Sequence, residues 1–290
     1  MLKKRLIACL VMRGELIVQS IGFKRYLPIG KPAIAVEFMR NWDVDEILLI
    51  DMTASREGRP PNLAVVSQVS KTCFVPLTYG GGIRNVDQIR DVVRSGGDKV
   101  CLNSAALKNP DLIEAAAQRF GNQCIVLSID VKRRPDGGYA VYDHLQGRAL
   151  GLDPVDWAKR AEALGAGEIL LNSVDRDGSR QGYDVDLVRR LVDAVGLPVI
   201  ALGGVGKMEH FVEGVREGRA SAVAAANIFT HTEHSTIIAK AILKKAGVDI
   251  RLATAADYKD FAFDAQGRIV KKADAALENI WFNPGAASRP

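Results

Sequence analysis

Short apolar runs alternate along the chain with longer segments whose hydrophobic residues recur at helical spacing. The runs cover residues 5–11, 46–51, 75–78, 99–103, 124–130, 168–172, 198–202 and 220–225. Amphipathic stretches such as residues 85–95, 110–120, 154–164 and 184–195 lie between them. Unbroken apolar runs suit strands buried on both faces, and helical crossovers suit parallel pairing. Eight such units predict an α/β fold, a closed (β/α)8 TIM barrel, for which ~250 residues is the usual size. An open doubly wound sheet would usually carry a glycine-rich turn after its first strand. Here the first run ends Leu10-Val11-Met12-Arg13-Gly14, which lacks that pattern.

An internal repeat strengthens the barrel reading. Asp45-Glu-Ile-Leu-Leu returns as Gly167-Glu-Ile-Leu-Leu, an offset of 122 residues from Asp45 to Gly167. A proline-led strand with a Gly-Gly exit occurs at Pro76 with Gly80-Gly81 and again, at a similar offset, at Pro198 with Gly203-Gly204. Two half-barrels of about 120 residues explain both matches. Residues 1–250 form the expected barrel. Residues 251–290 are a C-terminal tail for which the segment 260–270 predicts a hairpin.

Composition narrows the function classes. The 290 residues carry a formal net charge of +5 and a pI near 9.0, spread without a run of five like charges. This favours small anionic ligands over nucleic acid. No stretch approaches the ~18 apolar residues of a membrane span, and the apolar run near the N-terminus is too short for a signal segment. The four cysteines, Cys9, Cys73, Cys101 and Cys124, lack metal-site or disulfide-framework spacing. They read as free thiols in a cytoplasmic protein without a metal or cofactor.

The ends of the predicted strands carry the chemistry. Gly81 and Gly82 follow the third strand, and Gly203 and Gly204 follow the seventh. Glycines there let backbone N–H groups approach an anion at a helix N-terminus. The neighbouring loops hold Asn103 and Ser104 in one half, Ala226 and Asn227 in the other. Two phosphate sites half a barrel apart follow, for a ligand long enough to span the mouth. Acids at strand exits are further candidates: Asp51, Asp130, and Asp175 and Asp177 after the sixth strand, although Asp177-Gly178 also reads as a plain turn and Asp175 as a partner of Arg176. At the opposite ends stand Arg5, Glu46, Lys99 and Glu168. Two cations and two anions there could form a neutral ring across the barrel floor. A buried charge ring costs stability unless paired, so its presence points to function. Period-2 counting places Glu46 and Asp51 on opposite faces, so one of them must leave the pattern.

These residues resemble a known family. Residues 1–251 are similar to the cyclase subunit of imidazole glycerol phosphate synthase, a lyase of histidine biosynthesis. The matching motifs include Asp51-Met-Thr-Ala-Ser55, Gly80-Gly-Gly-Ile-Arg84, Ser128-Ile-Asp130-Val-Lys-Arg133, Asp175-Arg-Asp177-Gly178 and Gly203-Gly-Val-Gly-Lys-Met-Glu-His210. The resemblance implies a two-phosphate barrel that docks a glutaminase subunit on its floor as a heterodimer. Ammonia would pass the gate formed by Arg5, Glu46, Lys99 and Glu168. At the top it would attack a ribulosyl-carboxamide substrate, which closes to an imidazole, with two aspartates as acid and base. Asp130 matches one of these. The other is replaced by Val11, in Cys9-Leu10-Val11-Met12-Arg13 where the family has Cys-Leu-Asp-Val-Lys. Gln19 stands where the family has a substrate-contacting lysine, and Leu202 where it has a serine near the second phosphate. Valine cannot transfer a proton, and losing such a group removes ~10²–10⁴-fold in rate. The expectation is a diverged paralogue that keeps ammonia delivery. The loop Arg25-Tyr-Leu-Pro-Ile-Gly-Lys-Pro32 resembles a branch that works with a glutaminase and a sugar amidotransferase, making acetamidino sugars for surface polysaccharide. The alternative is a genuine cyclase with a relocated base.

Overall fold

In a computed structural model that describes residues 3–21, 24–41, 43–230, 235–251 and 270, eight parallel strands close into a barrel. They are β1 (Arg5–Arg13), β4 (Glu46–Asp51), β5 (Leu77–Gly80), β6 (Lys99–Leu102), β7 (Ile125–Arg133), β10 (Glu168–Ser173), β11 (Val199–Leu202) and β12 (Ala222–Ala225). Closure is direct: Arg5 to Ala8 pair in parallel with Ala222 to Ala225. An outer layer holds helices α1 (Pro32–Asn41), α2 (Leu63–Ser70), α3 (Val86–Arg94), α5 (Asp111–Phe120), α6 (Pro154–Ala163), α7 (Val185–Ala194), α8 (Glu209–Arg216) and α9 (Ser235–Lys245), with the short α4 (Ser104–Lys108) after β6. Several of the helices start where polar side chains cap them. Asn85, Asp153 and Asp184 each accept a backbone N–H of the first turn, which satisfies donors the helix itself cannot.

Strand alternation sorts the apolar residues into two cores. On β1, Leu6, Ala8 and Leu10 pack outward with the helices, while Ile7 and Cys9 join Leu48, Cys101, Val126, Leu170 and Ile200 inside the barrel. Parallel strands are apolar on both faces for this reason, so their hydrophobic runs are unbroken. The alternation also carries polar residues inward at each end, Glu46 and Lys99 below, Ser128 and Asp130 above. Glu46 keeps the inward register with Leu48 and Ile50. Asp51 leaves the pattern at the strand end, where its Oδ1 accepts the N–H groups of Thr53 and Ala54, both at 3.1 Å.

Two hairpins interrupt the βα rhythm. β2 (Leu16–Ile21) and β3 (Arg25–Gly30) fold back from the top of β1, and β8 (Tyr139–Asp143) with β9 (Arg148–Ala149) from the top of β7. The segment read as a loop from Arg25 is therefore an edge strand up to Gly30. β1 and β7 are diametrically opposite in the ring, so the hairpins repeat the half-barrel symmetry. The third barrel strand starts at Leu77, two residues later than the apolar run, because Pro76 has no N–H for the ladder. The tail hairpin expected at 260–270 lies, but for Val270, outside the described residues. Among those described, no helix is long and apolar enough to cross a membrane.

Candidate functional site at the barrel mouth

At the floor, the four charges close into a ring. Arg5 lies 2.6 Å from Glu46 and 2.7 Å from Glu168; Lys99 lies 3.2 Å from Glu46 and 2.9 Å from Glu168. Each cation bridges both anions, so the ring is neutral and internally satisfied. Above it the interior is apolar or neutral. Burial pushes the Cys9 thiol up to about 12 and raises that of Cys101 as well, so both stay uncharged. Charged species are disfavoured along such a lining by loss of hydration, whereas a small neutral molecule is not.

The mouth opens into a cavity of about 410 Å³ that brings together residues from both halves. Gly81, Gly82, Asn103 and Ser104 line one side; Gly203, Gly204, Ala226 and Asn227 line the other. All four glycines have positive φ and no room for a Cβ, two of them most sharply. Gly81 has φ +116°, and a Cβ there would meet the Asp51 carbonyl at 2.3 Å; Gly204 has φ +99°, and its Cβ would meet the Gly182 carbonyl at 2.1 Å. Both loops thus present bare backbone to the cavity. The buried Asn103 Oδ1, Ser104 Oγ and Asn227 Oδ1 have no hydrogen-bond partner among the described residues. Leaving such atoms unsatisfied costs ~1–3 kcal/mol each, and the Ser104 hydroxyl can donate to a phosphate oxygen. The Gly206 N–H donates to Nδ1 of the buried His210 at 3.1 Å, which fixes the second loop. Burial lowers the His210 pKa below its ordinary value; Lys207 and Arg176 lower it a little further, and Glu213 and Glu209 partly offset this.

Asp130 stands at the centre. Asn103 Nδ2 donates to its Oδ2 and Asn172 Nδ2 to its Oδ1, both at 2.9 Å. On the opposite strand, at the top of β1, the cavity is lined by Val11, so no second carboxylate faces Asp130 from there. Asp51 lines the cavity but its carboxylate is occupied by Thr53, Ala54 and Arg59. Its position supports the loop against Gly81. Asp177 lines the cavity and accepts the Ser20 hydroxyl at 2.8 Å, which ties β2 to the loop holding Gly178. Asp175 is engaged elsewhere, accepting the Arg133 N–H at 2.7 Å. Gln19 is buried and turned to the Thr230 hydroxyl at 2.8 Å. Leu202 lines the cavity beside Gly203.

Sequence reasoning missed the residues the hairpins deliver. Tyr26, Tyr142 and His144 line the mouth, as do Arg56 and Arg180. The Arg13 guanidinium lies 5.3 Å from the Tyr26 ring centre and the Lys132 ammonium 5.7 Å from that of Tyr142. Among the described residues, no group of three His, Cys, Asp or Glu side chains could hold a metal ion.

Comparison with known proteins follows the same outline. The family model described as histidine biosynthesis protein matches residues 5–236. The chain belongs to the histidine biosynthesis protein family. It is also 52% identical over 268 residues to a Vibrio vulnificus (strain YJ016) protein provisionally named imidazole glycerol phosphate synthase subunit hisF2. That match covers 92% of this chain and 98% of the relative. The barrel is thus of the imidazole glycerol phosphate synthase cyclase-subunit type, and Val11 is a feature of this family member.

Proposed function

We propose that this barrel receives ammonia from a glutaminase docked on its floor and hands it on, without efficient imidazole closure, to a sugar amidotransferase that makes acetamidino sugars for surface polysaccharide. One contrast carries the reading: the floor ring is complete, whereas Val11 faces Asp130 where a second acid would be needed. The glutaminase would dock as a heterodimer around Arg5, Glu46, Lys99 and Glu168. Swinging Lys99 aside would open the ring while Arg5 still satisfies both glutamates. Neutral ammonia would then cross the apolar interior and reach a mouth that holds a phosphorylated ligand between the two glycine loops. In this reading Asp51 and Asp177 with Gly178 shape the binding site.

The test is co-purification with the cognate glutaminase followed by a glutamine-hydrolysis assay. The proposal expects a stable complex and accelerated hydrolysis. A barrel that neither binds the glutaminase nor alters its turnover contradicts it. A second reading is a genuine cyclase of histidine biosynthesis, which the family match favours. Flanking genes for polysaccharide or for histidine synthesis separate the two.

A further inference from the structure

The hairpin on β7 places one chemically active side chain over the mouth. Asp143 is buried and ties the turn that follows it: its Oδ1 accepts the N–H of Leu145 at 2.8 Å, and its Oδ2 accepts Gln146 Nε2 at 2.7 Å. From across the mouth, Arg56 Nη2 donates to the His144 carbonyl at 2.9 Å. The backbone of His144 is therefore held from both sides. Its ring lines the cavity, with Nδ1 3.6 Å from Asp130 Oδ2 and a side chain 25% exposed. The two amides of Asn103 and Asn172 fix that carboxylate in turn. Nε2 has no partner among the described residues.

We propose that Asp130 and His144 form a proton-transfer dyad, with the imidazole taking over work that Val11 cannot do. The acid would hold Nδ1–H and leave Nε2 toward the cavity, and a modest side-chain rotation on ligand binding brings 3.6 Å to hydrogen-bond length. The step it serves is addition of ammonia to a carbonyl carbon of a phosphorylated ligand. The nitrogen lone pair forms the N–C bond while the C=O π pair moves onto oxygen. Neutral imidazole takes one N–H proton at Nε2 and returns it to the oxyanion, giving a neutral carbinolamine with the protein unchanged. No oxidant or reductant is needed. This goes beyond the conduit reading, because it gives the barrel a slow chemistry of its own.

The experiment is single-turnover nitrogen transfer from free ammonium to the ribulosyl-carboxamide substrate, using the full chain in excess. The dyad predicts a slow wild-type rate that falls at least ~10-fold in His144→Gln. Substrate affinity, followed by calorimetry, should be nearly unchanged. His144→Gly should regain rate with added imidazole, and Asp130→Asn should lose both the rate and the rescue. A His144→Gln rate equal to wild type, a His144→Gly variant that ignores imidazole, or no wild-type transfer at all would each overturn the dyad. Glutaminase binding is read on the floor and does not involve His144, so this proposal and the conduit reading fail separately.

Discussion

Replacing Lys99 by Met tests whether the floor ring acts as one unit. Lys99 contacts Glu46 at 3.2 Å and Glu168 at 2.9 Å. Unit charges about 4 Å apart attract by about 4 kcal/mol at an effective dielectric of about 20. Desolvation of the ammonium offsets much of this, and breaking a buried pair costs ~3–5 kcal/mol net. The ring is not fully buried, with Lys99, Glu46 and Glu168 side chains 17%, 8% and 11% exposed. Arg5 also continues to bridge both glutamates. These two features place the loss at about 2 kcal/mol, below the range for a fully buried pair. In a large domain that lowers Tm by ~4–8 °C. Adding Glu168→Gln restores a neutral ring of one cation and one anion, so the double variant should be more stable than the two single effects added together. Scanning calorimetry at pH 7.5 measures all four proteins. A Lys99→Met shift below about 1 °C, or strictly additive single effects, would refute the coupled ring.

Two further outcomes follow from buried groups away from the ring. Lys240 on α9 is 2% exposed and contacts Asp43 at 3.1 Å and Asp45 at 2.9 Å, while Asp45 also accepts the Leu6 N–H at 2.7 Å. Lys240→Met strands two carboxylates at the base of β4 and should cost ~3–5 kcal/mol, read as a fall in denaturation midpoint. For His210, the folded pKa lies below the ordinary 6.5, so the unfolded chain takes up the proton more readily. Its contribution to stability is present above about pH 6.5 and is lost as pH falls below that toward the lowered folded value. His210→Gln keeps an acceptor for Gly206 without titrating. The wild type should therefore lose Tm relative to this variant between pH 7.5 and 5.5, and parallel pH profiles would contradict the assignment.

Much of the barrel is legible in the sequence because its physics is local. Strands buried on both faces must be apolar throughout, and charges at their starts, such as Arg5 and Lys99, follow from period-2 counting. Glycine pairs at strand exits mark bare-backbone loops, as Gly81 and Gly204 illustrate. The hairpins were not legible. β3 exposes Leu27 and Ile29, so it lacks the alternation of a half-buried strand, and Pro28 further disguises it. Nothing in the sequence singles out His144, since only the fold of β8 back over β7 brings it beside Asp130. Asp51, a candidate ligand-binding acid, lines the cavity and also accepts from Thr53, Ala54 and Arg59 of its own loop. Identity and position along a strand do not reveal whether a side chain's hydrogen bonds are already taken.

In the proposed function, ammonia delivery outlived imidazole closure in this barrel. The most direct test is the steady-state rate of imidazole formation from the ribulosyl-carboxamide substrate with free ammonium, which bypasses any glutaminase. The expected rate is at least ~10²-fold below that of a family cyclase with aspartate at the position of Val11, since one of two proton-transfer acids is absent. Val11→Asp alone should recover little, because Gln19 stays turned to Thr230 and Leu202 still lines the cavity. A wild-type rate matching that cyclase would contradict the claim and assign this chain to histidine synthesis.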